Sequence, residues 1–230
     1  MDERGPAAGR FVTLEGPDGA GKTTQSRLLA ERLRAAGHDV TLAREPGGTA
    51  LGERVRDLLL ARDDLERTPE ADALLFNAAR SQLVREVIQP ALARGGIVVC
   101  DRYTDSTLAY QGYGAGLELD DLRSLADWAT SGIGPDLTIL LDLAVEAGLG
   151  RRARGAADEV TRFEHDTGHD AAFHRRVRSG YLELAAADRG RWRVVAADRD
   201  AGVVADEIGA IVEGWLRQSE PTGREMRIHG

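Results

Sequence analysis

The chain has 230 residues, 42% hydrophobic and 30% charged, a balance that fits a folded globular protein of one large domain or two small ones and excludes a disordered chain. A formal net charge of −8 argues against a general nucleic-acid binder, while leaving room for local arginines to meet a nucleotide. The single cysteine, Cys100, excludes an intrachain disulfide framework and suits a reducing cytosol.

Residues 1–9 read as a loose leader, without the basic start and apolar centre of a signal peptide. No uninterrupted apolar run approaches about 18 residues, so a cytoplasmic protein with no membrane contact is expected. One domain is expected over 10–217, followed by a polar tail, 218–230. Within it, short apolar strands alternate with amphipathic helices. The strands are expected at 11–15, 39–44, 96–101, 137–143 and 192–197. Several are continuously apolar, as in a parallel sheet covered on both faces. Leu29, Leu33 and Ala36 make one helical stripe, with Gly37 as its stop. Leu51, Val55, Leu58 and Leu59 make a second, and Val204, Ile208, Ile211 and Trp215 a third; all three read as core packing. This alternation predicts a three-layer α/β fold with right-handed crossovers.

The segment GPDGAGKT, 16–23, matches G-x-x-x-x-G-K-[ST] and lies where that motif requires, after a strand and before a helix. Gly16, Gly19 and Gly21 let successive N–H groups converge on phosphate oxygens, with Pro17, Asp18 and Ala20 completing the loop. The helix starting near Lys22 adds its positive end. Thr23 is placed to ligate Mg²⁺, and Thr24 to support the α-phosphate. Lys22 is the only lysine beside 29 arginines. A slim ammonium reaches between β- and γ-phosphates through a tight loop, where a planar guanidinium is too bulky. The motif names a nucleoside triphosphate, not a reaction. With one lysine and one asparagine, Asn77, the chain cannot carry the Asn-Lys-x-Asp guanine reader of a GTP-hydrolysing switch.

Five further stretches carry a resemblance: REPGGTALGERVRDLLL at 44–60, LLFNAARSQL at 74–83, DRYTDSTLAYQG at 101–112, PDLTILLDL at 135–143 and FHRRVRSGYLELA at 173–185. In order and spacing, over about residues 11–215, the chain is similar to the bacterial thymidylate kinase family. The resemblance implies a P-loop kinase fold with a five-stranded parallel sheet and an Arg-rich lid. It also implies a homodimer, with ATP–Mg²⁺ and dTMP as substrates. The reaction would be phosphoryl transfer from ATP to dTMP, giving dTDP for DNA synthesis.

Phe76 and Arg80 are four apart, hence on one helix face. The resemblance makes them the thymine contacts, one by stacking and one by donating to the O4 edge; Phe76 alone reads equally as a core aromatic. Asp101 becomes a candidate for the Mg²⁺ environment, directly or through water, and Arg102 a clamp on the acceptor phosphate. An Asp-Arg pair also reads as a structural ion pair. Ser106, Thr107, Tyr110 and Gln111 match family positions around base and sugar, Tyr110 against the deoxyribose. Asp18 matches the carboxylate that binds the 3′-hydroxyl. Arg44 and Glu45 lie near the acceptor, with a cis peptide expected before Pro46.

The stretch 150–164 is rich in Arg, Gly and Ala and lacks an apolar stripe, which a solvated basic loop would share. By resemblance it belongs to a lid, about 148–166, that closes over ATP. Some members of the family place a basic residue inside the phosphate loop; with none here at 17, 18 or 20, the resemblance implies a catalytic arginine from Arg151, Arg152 or Arg154, with Arg162 as a further ATP contact. Thr161 departs from the commoner family ending, DRxE. His165, His169 and His174 show no paired ligand pattern. Two rival readings stay open: a kinase for another pyrimidine monophosphate, prompted by Asn77 beside the base contacts, and a nucleotide-binding regulator without turnover.

Overall fold

A computed structural model describes residues 9–60, 65–154 and 171–219, the side chains of 152–154 and 219 excepted. Most of the leader, all but two residues of the tail and the later part of the lid lie outside these residues. Five parallel strands form one sheet in the order β2-β3-β1-β4-β5: β1 Arg10–Glu15, β2 Val40–Arg44, β3 Ile97–Asp101, β4 Leu137–Asp142 and β5 Trp192–Ala196. All five expected strands are present within two residues at each end. Central β1, β3 and β4 are almost wholly buried, as their apolar runs require. Edge strand β5 instead exposes Arg193 and Val194.

Helices flank the sheet as α1 Lys22–Ala35, α2 Ala50–Leu60, α3 Pro69–Leu83, α4 Gln89–Ala93, α5 Thr104–Thr107, α6 Leu119–Thr130, α7 Val145–Arg154, α8 Ala171–Ala187 and α9 Ala201–Ser219. Two π-helical turns, Val84–Ile88 and Leu108–Gly114, extend α3 and α5. Local chemistry sets the boundaries. Thr68 caps α3 by accepting from Ala71 N, and Pro69 occupies the first turn, where a missing N–H costs nothing. Gly37, at φ 91°, ends α1: its N–H donates to Arg34 O and that of His38 to Leu33 O, a Schellman closure.

One cluster packs Val12, Leu14, Ile139 and Leu141 of the sheet against Leu29 and Leu33 of α1 and Val204, Ile208 and Val212 of α9. On the opposite face, Leu140 and Trp192 meet Phe173, Val177 and Tyr181 of α8. The helical stripes need correction. Ala36 is exposed because α1 stops before it. Of the α2 stripe only Leu59 is buried; Leu51 and Leu58 are exposed and Val55 is half-buried, because α2 packs chiefly on α3 and its other face is uncovered among the described residues. Residues 148–154, where the expected lid begins, continue α7.

That helix begins hard against the glycine loop. A Cβ on Gly148 would lie 2.5 Å from Asp18 O, and one on Gly19 2.5 Å from Gly148 O. Both atoms met are backbone, so neither contact relaxes by a side-chain rotation. Gly148→Ala is expected to cost about 1–3 kcal/mol of stability by pushing α7 off the loop. An unchanged urea midpoint with unchanged m would refute that close approach.

Candidate functional site

Strand register sets the site. Leu14 pairs with Asp101 across β1–β3 and Arg44 with Asp101 across β2–β3, so Glu15, Arg44 and Asp101 emerge together at the carboxyl edge. There Gly16, Gly19 and Gly21 hold φ 142°, 75° and 90°, turning the chain from β1 into α1. Gly21 caps α1 without a side-chain hydrogen bond, leaving the first-turn N–H groups for an anion. Lys22 curls back over this loop, and its Nζ donates to Gly16 O at 3.0 Å and Pro17 O at 2.9 Å. Burial, helped by the nearby Arg102 charge, pushes its ammonium down to about 8.

Thr23 Oγ1 donates to Asp101 Oδ2 at 2.5 Å, so the two candidate metal ligands are brought together. No group of three or more His, Cys, Asp or Glu suited to a metal occurs among the described residues. One hydroxyl and one carboxylate suit Mg²⁺ held jointly with phosphate oxygens and water, rather than in an all-protein cage. A cleft of about 390 Å³ opens beside this pair, walled also by Thr24, Arg27, Arg44 and Gly48.

Arg102 is the other centre of the site. Its φ of 69° is left-handed, a strained position for a residue with a side chain, and it turns the chain sharply out of β3. Nη1 donates to Gly16 O at 3.3 Å, Ser106 Oγ at 3.1 Å and Tyr181 OH at 3.3 Å. Nη2 donates to Asp18 and, at 3.2 Å, to Tyr110 OH, and the guanidinium sits 5.0 Å from the Tyr110 ring centroid. Asp18 of the glycine loop and Arg102, Ser106 and Tyr110 of the 101–112 stretch thus form one cluster. The loop carrying them is anchored from β5's leading edge, where Arg191 grips Asp105 at 2.6 and 3.1 Å.

Arg80 lies fully buried on α3, 1% exposed. Its Nε donates to Glu45 Oε2 at 2.8 Å, Nη1 to Asn77 Oδ1 at 3.0 Å, and Nη2 to Tyr103 O and Thr107 Oγ1, both at 3.1 Å. Phe76 is half-buried one turn earlier; Gln111 is buried. Glu45 precedes the cis peptide expected before Pro46. Arg44 stands apart from the Arg102 cluster, with Nη2 held by Glu53 at 2.9 and 3.0 Å. Arg151 Nη1 donates to Ala197 O at 2.9 Å, which places it at the turn between β5 and α9. The side chains of Arg152 and Arg154, and all of Arg162, lie outside the described residues.

Sequence reasoning missed Glu15 and Tyr181. Glu15 is fully buried and accepts from Tyr103 N at 2.7 Å, Ser106 Oγ at 2.6 Å and Tyr181 OH at 3.1 Å. Burial, and then the neighbouring Asp105 charge, raises its carboxyl to about 7. The signal available was a charged residue ending an apolar strand directly before the glycine loop. Tyr181, on α8, carried no signal of its own, because its role depends on a chain crossing 79 residues away from Arg102.

The chain matches the family model described as Thymidylate kinase over residues 14–208. It is 56% identical over 208 residues to a thymidylate kinase of Thermomicrobium roseum, covering 90% of this chain and 96% of that one. With a thymidylate kinase of Deinococcus radiodurans it shares 52% identity over 205 residues, 89% and 96% of the two chains. A crystal structure of thymidylate kinase from Ehrlichia chaffeensis superposes with a TM-score of 0.71 at 34% identity, covering 89% of this chain and 99% of that chain.

The raised Glu15 carboxyl has a consequence for stability. Between its ordinary 4.5 and about 7, the folded chain holds a proton that the unfolded chain releases, so stability falls as pH rises through that window. Glu15→Gln removes this dependence. The midpoint of the variant relative to the native chain is expected to rise from pH 5 to pH 8; a pH-independent difference would show that Glu15 titrates normally.

Proposed function

Because this chain belongs to the thymidylate kinase family, we propose that the site described above performs ATP-dependent phosphorylation of dTMP, giving ADP and dTDP. The observation that carries the reading is that Lys22 and Arg102 both donate to one carbonyl, that of Gly16. A cation for the donor phosphates and a cation for the acceptor phosphate then flank a single transfer path. No protein nucleophile is needed, since the acceptor is already a phosphate oxygen and the task is alignment and charge dispersal.

The glycine loop from Gly16 to Gly21 with Lys22, Thr23 and Thr24 takes the triphosphate. Arg102 takes the acceptor phosphate, exchanging part of its bonding to Asp18 and the hydroxyls for phosphate oxygens. Asp18 is then released toward the 3′-hydroxyl, and Tyr110 bounds the sugar where bulk disfavours a 2′-hydroxyl. Phe76 stacks on thymine, with Arg80, Thr107 and Gln111 around the base and Glu45 behind Arg80. Thr23 and Asp101 would hold Mg²⁺, which when bound screens phosphate charge. An arginine of the 151–154 stretch, with Arg162, meets charge on the transferring group as the lid excludes water. The domain is assigned to 10–217, with its lid over about 148–166, beginning within α7. Cytoplasmic location is supported by the buried lone thiol, and no helix among the described residues is long and apolar enough to cross a membrane.

A homodimer is supported by Leu58, Leu74 and Trp128, exposed on α2, α3 and α6, with Trp128 at 82%. These helices are adjacent, α3 packing on both others, so one apolar face is presented to a second copy. Sedimentation equilibrium is expected to give twice the 24.8 kDa chain mass, and Trp128→Glu to shift it toward one; a monomeric native chain at micromolar concentration would remove the dimer.

ADP release with Mg²⁺–ATP, measured across dTMP, dUMP, UMP, CMP, AMP and GMP, tests the function. We expect kcat/KM highest for dTMP, loss of turnover on chelation, and at least about a hundredfold fall for Lys22→Ala. Preference for another pyrimidine would move the substrate. ATP binding without acceptor-stimulated release would overturn the kinase reading.

A further inference from the structure

Asn77 sits between the two proposed base contacts, yet both polar atoms of its amide are turned inward. The side chain is buried, Nδ2 donates to Ala73 O at 2.8 Å, and Oδ1 accepts from Arg80 Nη1 at 3.0 Å. The amide orientation is fixed by the first bond: with Nδ2 committed to a carbonyl one helical turn back, the oxygen must face the guanidinium. An asparagine at this place therefore does not read the base itself.

Its effect falls on Arg80. Four of the five guanidinium N–H groups have partners: Glu45, Asn77, Tyr103 O and Thr107. The one left over among the described residues belongs to Nη1, the nitrogen that Asn77 holds. The two hydrogens of a planar Nη1 point about 120° apart, so anchoring one on Asn77 aims the other. A donor in a fixed direction accepts a carbonyl oxygen and rejects an amino group, which is the difference between thymine and cytosine at ring position 4. Without the anchor, Nη1 presents two hydrogens and tolerates water or a tilted base.

We propose that Asn77 is a positioning residue that sets pyrimidine selectivity by aiming the remaining Nη1–H of Arg80 at the position-4 carbonyl of the acceptor base. The inference rests on the reading of Arg80 as a thymine contact, and its test separates the two.

Steady-state kinetics with dTMP and dCMP would be measured for the native chain, Asn77→Ala, Asn77→Asp and Arg80→Met. Asn77→Ala removes the acceptor atom; Asn77→Asp keeps it. The expected result for alanine is a higher KM for dTMP, kcat within about twofold, and a fall of about tenfold in the dTMP to dCMP ratio of kcat/KM. The aspartate variant should retain the native ratio. A ratio unchanged in Asn77→Ala, or an equal loss for both acceptors, would overturn the proposal and leave Asn77 a structural residue. If the alanine variant does not fold, Asn77→Leu, close to asparagine in volume and without the acceptor atom, takes its place on the same two outcomes: a tenfold fall in the ratio upholds the proposal and an unchanged ratio overturns it. An unchanged ratio in Arg80→Met would instead remove Arg80 from base reading, whatever Asn77 does.

Discussion

The carbonyl of Gly16 stands between two cations, Lys22 at 3.0 Å and Arg102 at 3.3 Å, and much of the site exists to make that juxtaposition tolerable. Like charges this close in a buried setting repel, and the lowered Lys22 ammonium records it, with burial the larger cause and Arg102 the next. The offsetting charges come first from Asp18 and Asp101, and then from Glu15 once it has lost its proton. Two cations held this close suit a polyanion, because each phosphate oxygen between them would relieve the repulsion as well as make its own bonds.

Holding Arg102 there takes backbone strain and several chain crossings. Its left-handed φ aims the side chain back across the glycine loop instead of along β3. Ser106, Tyr110 and Tyr181 then surround the guanidinium with hydroxyls, groups that accept from arginine yet can rotate to other partners. Tyr181 matters for a further reason. It stands on α8, the first described helix after the expected lid stretch, and accepts from Arg102 directly. Glu15 gathers Ser106 and Tyr181 from beneath, tying the end of β1 to both.

The proposed base side uses a different device. Arg80 and Glu45 form a buried ion pair, an arrangement whose desolvation cost is repaid only with good geometry and further hydrogen bonds. Asn77, Tyr103 O and Thr107 supply those bonds. The result is a guanidinium with almost no freedom, better suited to recognition than a solvated arginine would be. The contrast with Arg44 is instructive: that side chain, half in solvent and paired with Glu53, belongs to the loop's surface.

By itself the sequence determined the sheet, its five strands, the glycine loop with its lysine, and the family, because each is written in local spacing: continuous apolar runs, glycines at fixed intervals, a stop at Gly37. Tertiary structure decided the rest. The α2 stripe of Leu51, Val55 and Leu58 has the same period as a core helix, but burial depends on what covers a face, and nothing among the described residues covers that one. Asn77 raised the reading of another pyrimidine from its sequence position alone; in the fold its amide is turned to Ala73 O and Arg80. Glu15 and Tyr181 joined the site through contacts spanning 166 residues. Hydrogen bonds over such distances have no periodic signature, since they arise from where folded segments cross and not from how any one segment is patterned.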